Sequence, residues 1–147
     1  MNDITSKSQS STHVDVIIVG AGISGIGAAY HLQQQCPEKS YKILDAQPAI
    51  GGTWTTHIYP GIRSDSDLFT FGYRFKPWTG APIASAAQIL KYLSEVIEEN
   101  DIQPHIHHQH TVLSADWDSA TQQWTLQVRY GATNQVKPCS CNFLWIC

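Results

Sequence analysis

The 147-residue chain is poor in charge, has no excess of basic residues and contains no long apolar run. Charged residues make up 14%, against ~25% in an average domain, so part of the surface is expected to meet another domain or subunit. Lys and Arg number 9 against 12 Asp and Glu, a formal net charge of −3. That balance lacks the positive excess needed at a phosphate backbone, and no nucleic-acid partner is expected. No stretch approaches the ~18 consecutive apolar residues of a spanning helix, and Met1 to His13 are polar without an apolar signal-peptide core. A cytoplasmic protein without a spanning segment is expected, peripheral membrane association being left open. Cysteine is scarce: Cys36, Cys139, Cys141 and Cys147 include one C-x-C pair, too short for a zinc knuckle, and all four read as free thiols.

What the chain does have is enough apolar surface, with 42% hydrophobic and 10% aromatic residues, for one domain with a real core. Residues 1–13 read as a loose polar tail and residues 14–147 as the folded domain. Val14 to Val19 is a β-branched run short enough for a buried parallel strand, and it leads straight into Gly20-Ala21-Gly22-Ile23-Ser24-Gly25. Ile23, Ile26, Ala29, Tyr30 and Leu32 then recur at helical spacing until Pro37, and Tyr41 to Asp45 supplies a second strand. The three elements make a βαβ unit.

From Gln47 to Pro82 periodicity vanishes, leaving a long loop expected to carry ligand contacts. Ser85 to Asn100 predicts a second helix, capped by Ser85, with Ile89, Leu90, Leu93 and Ile97 on one face. Thr111 to Trp117, Gln123 to Tyr130 and Cys139 to Ile146 predict a three-stranded β-meander. The last of these is the most apolar strand of the C-terminal half and has no polar cap after it, which reads as truncation of a longer protein at its C-terminus. A fold missing its neighbour is expected to expose apolar surface and to have limited solubility. The fold class is therefore α/β, a Rossmann-like unit with a parallel sheet, a second helix and the meander.

In GAGISG, Gly20 permits a tight turn, Gly22 lets backbone approach a pyrophosphate and Gly25 allows close helix-to-strand packing. The helix N-terminus then favours an anion through free N–H groups and its dipole, and Ser24 adds a hydroxyl donor. Asp45 follows Gly25 by twenty residues, at the end of the next strand, where an acid accepts from ribose hydroxyls and repels a 2′-phosphate. The site is expected to hold FAD or NAD, which these residues alone do not separate. Gly51 and Gly52 leave room for a ligand and Trp54 offers a wide apolar face, whereas Trp78 and Trp117 read as ordinary core. Arg63, Asp65 and Asp67 taken alone read as surface ion pairs. His105, His107, His108 and His110 lack acidic or thiol partners at ligand spacing, and no metal site is expected.

GAGISG, Asp45, GGTW (Gly51 to Trp54), YPGIRSDSD (Tyr59 to Asp67), FGYRFKPW and SADW (Ser114 to Trp117) occur in one order along the chain. In that order the chain resembles the flavin-containing and Baeyer–Villiger monooxygenases, most closely the ethionamide-activating subgroup. The resemblance implies an FAD/NAD(P)-linked fold in which NADPH reduces FAD, O2 adds to it, and a flavin peroxide oxygenates a small organic substrate. That substrate would be a ketone, a thioether or thioamide, or an amine. By resemblance Gly20, Gly22, Ser24 and Gly25 bind the FAD pyrophosphate, Asp45 its ribose, and Gly52, Thr53 and Trp54 its ribityl and isoalloxazine end. Arg63, Ser64 and Asp65 would line the junction of flavin and nicotinamide, with Arg63 and an orienting Asp65 as the catalytic candidates. Val112 would meet the adenine through its backbone. The chain has no second glycine fingerprint for NADPH and no later substrate-pocket segment, so it is expected to be the FAD-binding part of such an enzyme. The alternative is a non-catalytic flavin or nucleotide-binding module. Disulfide reductases share the first fingerprint, but residues 46 to 60 contain no cysteine pair.

Overall fold

The structure, a computed structural model, describes residues 12–147. Strand β1 (Thr12–Val19) runs through the glycine turn into helix α1 (Ile23–Gln35), and β2 (Tyr41–Leu44) returns beside β1 in parallel, as the sequence predicts. The β-branched run of β1 buries Ile17 and Ile18 on opposite faces of the sheet, which fits a strand covered on both sides. Thr12 and His13 belong to β1, correcting the tail expected over residues 1–13. Their pairing with Cys139 and Ser140 of a distant strand extends β1 beyond its apolar run. The rest of the expected tail, residues 1–11, lies outside the described residues.

The long loop is not wholly irregular. It contains two four-residue helices, α2 (Thr53–Thr56) and α3 (Leu68–Phe71), too short to leave a periodic signature. Asp67 caps α3, its carboxylate accepting the Thr70 amide at 3.0 Å. Helix α4 (Ala86–Glu99) begins with a full capping box in which Ser85 and Gln88 satisfy each other's backbone N–H, an arrangement that contributes ~1 kcal/mol. Its apolar face, Ile89, Leu93, Val96 and Ile97, joins Ile26 of α1 and Ile18 and Ile43 of the sheet in one core. Tyr73, Phe75 and Trp78 pack against that core as well. The Tyr92 hydroxyl ties their segment down, accepting the Tyr73 amide at 2.8 Å and donating to the Lys76 carbonyl at 2.6 Å.

A 3-10 turn (Gln103–His105) leads to the two-residue β3 (Ile106–His107), followed by β4 (His110–Asp118), β5 (Gln123–Tyr130) and β6 (Gln135–Ile146). The last three form the expected meander, but β6 is longer than predicted and also pairs in parallel with β1 along almost its whole length. All strands therefore form one six-stranded sheet in the order β3-β2-β1-β6-β5-β4. The sheet curls until its two edges meet: the Asp45 amide donates to the His107 carbonyl at 3.0 Å and the His110 amide to the Asp45 carbonyl at 2.9 Å. Inside the curl lies a second core of Val14, Ile17, Leu44, Leu126, Val128, Cys139 and Cys141. All four cysteines are free thiols.

Trp117 departs from the core position expected of it. It is 47% exposed and tilts against Trp124, because β4 is an edge strand of the sheet. On the helix-facing side, Phe143 and Trp145 of β6, in register with Val16 and Ile18, remain 57% and 41% exposed. No helix of the described residues is long and apolar enough to cross a membrane.

Candidate dinucleotide site

The C-terminal ends of β1, β2 and β6 converge on the N-terminus of α1, around a cleft of about 220 Å³. Gly20, Gly22, Ser24, Gly25, Asp45, Gly52, Thr53 and Trp54 all line it. Each element brings its residue there for a local reason. β1 is followed by Gly20, whose φ of +108° turns the chain sharply into α1. At Gly25 a methyl group would overlap the Gly20 carbonyl oxygen, so helix and strand can approach this closely only with glycine there. Gly22 is the N-cap of α1 and no side chain caps that end, which leaves the first amides of the helix open to an anion.

The second glycine pair is fastened to the first turn. The Gly51 amide donates to the Ala21 carbonyl at 2.9 Å, and α2 starts at once, with the Trp54 amide donating to the Gly51 carbonyl. A Cβ on Gly52 would stand 3.4 Å from the Gly22 α-carbon, so side chains on these two facing glycines would fill the cradle between them. Trp54 packs against the main core and meets Phe71 edge-on at 6.2 Å, which holds its indole at the border of the cleft.

Asp45 is only 7% exposed, and both its carboxylate oxygens accept backbone N–H groups, from Ala21 at 2.6 Å and from Gln47 at 2.7 Å. The acid thus joins the end of β2 to the middle of the glycine turn. Each oxygen retains a lone pair for a further donor.

Four of the expected residues stand outside this cleft. Arg63 bridges to Ser85 ahead of α4 and, like Asp65, is exposed. Ser64 is buried, but its amide and hydroxyl are engaged with the Ala84 carbonyl and amide, at 2.9 and 3.2 Å. Val112 lies on β4 opposite Val128 and packs toward the second core. Gly51, expected together with Gly52 to leave room for a ligand, lines the cleft as well. Ile23 and Cys147 line it without having been expected there. Cys147 arrives through the β1–β6 pairing, with its amide donating to the Val19 carbonyl at 3.0 Å, and burial pushes its thiol pKa up.

This geometry agrees with the comparisons to known proteins. Residues 18–93, just over half of the chain, match the NAD(P)-binding Rossmann-like domain family. The FAD-containing monooxygenase EthA of Mycolicibacterium smegmatis is 53% identical over 136 residues, 92% of this chain and 27% of that protein. The probable FAD-binding monooxygenase AlmA of an Acinetobacter species is 52% identical over 116 residues, 78% of this chain and 23% of that protein. Among solved structures, an oxidized steroid monooxygenase bound to NADP superposes with a TM-score of 0.82 at 30% identity, over 92% of this chain and 26% of that one. The chain thus spans about a quarter of the length of the proteins it matches. The glycine turn, the acid at the end of β2 and these matches agree: the chain belongs to the NAD(P)-binding Rossmann-like domain family, and its sequence relatives are FAD-containing monooxygenases.

Proposed function

We propose that residues 14–147 form the FAD-binding domain of an NADPH- and O2-dependent flavoprotein monooxygenase. Its substrate would be a small ketone, a thioether or thioamide, or an amine, met in the cytoplasm. The observation that carries this reading is the cradle between two facing glycine turns, open at a helix N-terminus and closed on one side by the Asp45 carboxylate. Such a cradle suits the pyrophosphate and adjoining ribose of a dinucleotide. The first amides of α1 and the Ser24 hydroxyl would donate to the pyrophosphate. Asp45 would accept from a ribose hydroxyl with its remaining lone pairs, at a place where a 2′-phosphate would be repelled. Gly52 and Thr53 would let the ligand run along α2, and Trp54 would form an apolar wall beside its flavin end. When bound, the flavin supplies the redox and oxygen chemistry, which no side chain of the cleft provides.

Arg63, Ser64 and Asp65 are assigned to the side of the flavin facing the nicotinamide, Arg63 as cation and Asp65 as its orienting acid. Val112 is assigned a backbone contact with adenine. In this reading NADPH and substrate are bound by regions of the kind that the longer relatives carry beyond this quarter of their length.

The test is an absorption spectrum of the purified chain before and after denaturation, with chromatography of any released cofactor. A yellow protein releasing FAD supports the reading, and NADPH-driven O2 uptake is then measured in a protein carrying the full length of the relatives. A folded protein that takes up no added FAD overturns it. FAD binding without O2 uptake in the longer protein would leave a non-catalytic flavin-binding module.

A further inference from the structure

The inner side of the curled sheet holds a second polar cluster, independent of the dinucleotide cleft. Lys42 of β2, His107 of β3, His110 of β4, Tyr130 of β5 and Cys139 of β6 line a cavity of about 150 Å³, whose remaining wall is Thr12 and the apolar Ile17, Leu44 and Val128. That is well above the ~10–15 Å³ that one water needs. Register explains why they meet. Lys42 lies opposite Ile17 and His107 opposite Leu44, both core residues of the curl, while His110 lies opposite Tyr130 on the strand pair that closes over them.

Lys42 stands in the cluster without a counter-ion among the described residues. None of these that line the cavity is Asp or Glu, and neither Lys42 nor the nearby Lys137 has a carboxylate of theirs within ion-pair distance. Lys137 instead places its ammonium 5.4 Å from the centre of the Tyr130 ring. The His107 and His110 rings are 5.5 Å apart, and His110 packs edge-on to Tyr130 at 4.4 Å. His110 Nδ1 lies 2.6 Å from the His108 carbonyl, which can only accept, so Nδ1 carries the proton and Nε2 is the free nitrogen. Burial first, then the charge of Lys42 and the neighbouring His110, His105 and His108, hold His107 below the usual histidine pKa. A partly buried Lys42 ammonium without an anion is costly.

We propose that this cavity is a binding site for a small oxyanion of the phosphate or carboxylate kind, held by the Lys42 ammonium and by His107, with the Tyr130 hydroxyl as a neutral donor and His110 joining once its Nε2 takes up a proton. A metal ion is disfavoured by the Lys42 ammonium, and among the described residues no group of three His, Cys, Asp or Glu side chains is placed to hold one. The volume excludes a nucleotide. Because the anion would attract the proton that Lys42 repels, binding raises the His107 pKa, and affinity falls as rising pH deprotonates His107.

The experiment is a titration of the 147-residue chain with inorganic phosphate, and separately with acetate, at constant ionic strength, following the histidine ring signals by NMR. The expected result is saturable movement of the His107 and His110 signals and a rise of the His107 pKa. Phosphate and acetate separate by which of them saturates at the lower concentration. Repeating the phosphate series with ADP present keeps the glycine turn from contributing, and the response should persist. In Lys42→Met the anion response is lost while the His107 pKa in anion-free buffer rises. His110→Gln, whose side chain stays polar, should weaken binding several-fold if the methionine variant is unstable. A linear response equal to that of chloride, or a Lys42→Met variant that responds like the parent chain, would mean a water-filled cavity and overturn the proposal.

Discussion

The Asp45 carboxylate and the Ala21 amide are joined by a 2.6 Å hydrogen bond between the end of β2 and the middle of the glycine turn. The acid expected to meet a ribose therefore also shapes the turn expected to meet a pyrophosphate. Replacing Asp45 by Ala removes the acceptor of two backbone N–H groups, one buried and one partly buried, and should destabilise the ligand-free chain by ~2–3 kcal/mol. Urea unfolding measures this directly. An unchanged midpoint would mean that the bond contributes nothing until a ligand is present.

Two glycines should respond differently to the same substitution. Gly25→Ala sets a methyl on the Gly20 carbonyl and forces α1 away from β1, so it should cost ~3 kcal/mol or more and abolish FAD uptake. Gly61→Ala meets no atom within 4 Å, and its only penalty is a φ of +80°, ~1–2 kcal/mol. Thermal unfolding of the two variants side by side tests the difference.

Alkaline pH should unfold the chain in a defined window. Burial pushes the Tyr41 hydroxyl from 10.0 up to about 12, and the Cys141 thiol from 9.0 up to about 11. Both groups are favoured in their neutral form by folding, so the unfolded chain releases these protons first. Their contribution is intact below pH 9 and is lost between 9 and 12. The Gln33 side-chain amide donates to the Tyr41 hydroxyl at 2.9 Å, which lowers its pKa and tempers the effect of burial. Urea midpoints measured across that range should fall, and Tyr41→Phe should flatten the part above pH 10.

Phe143 and Trp145 leave an apolar strip on the helix-facing side of β6. The 147-residue chain should therefore self-associate as its concentration rises, seen by light scattering, and Phe143→Thr should reduce this without lowering stability by more than ~1 kcal/mol. A sharp monomer at all concentrations would count against this.

The βαβ unit was legible because its signals are local: a β-branched run, a glycine turn, helical spacing and an acid one strand later. Ser85 was legible as a cap for the same reason. What could not be read was non-local. β6 joins β1 through a pairing that no neighbouring residue announces, and it brings Cys147 to the cleft and Thr12 and His13 into the sheet. Asp45 was found by its spacing, but its bond to Ala21 depends on how two strand ends meet. Arg63 and Asp65 were singled out by resemblance, and the packing of their segment against the start of α4 leaves both exposed and outside the cleft.

The strand that joins the parallel and antiparallel halves also sets an order of events. His13 and Ser140, hydrogen-bonded at 2.9 Å, are separated by 127 positions. Long-range parallel pairing of this kind forms slowly, since the loop must close before any contact rewards it. On a ribosome the glycine turn is made early and then waits, flanked on one side only, until β6 emerges. Competence to take up a dinucleotide should thus arrive abruptly, only once β6 has emerged, and a nascent chain halted in the meander would display a finished fingerprint with an unfinished wall.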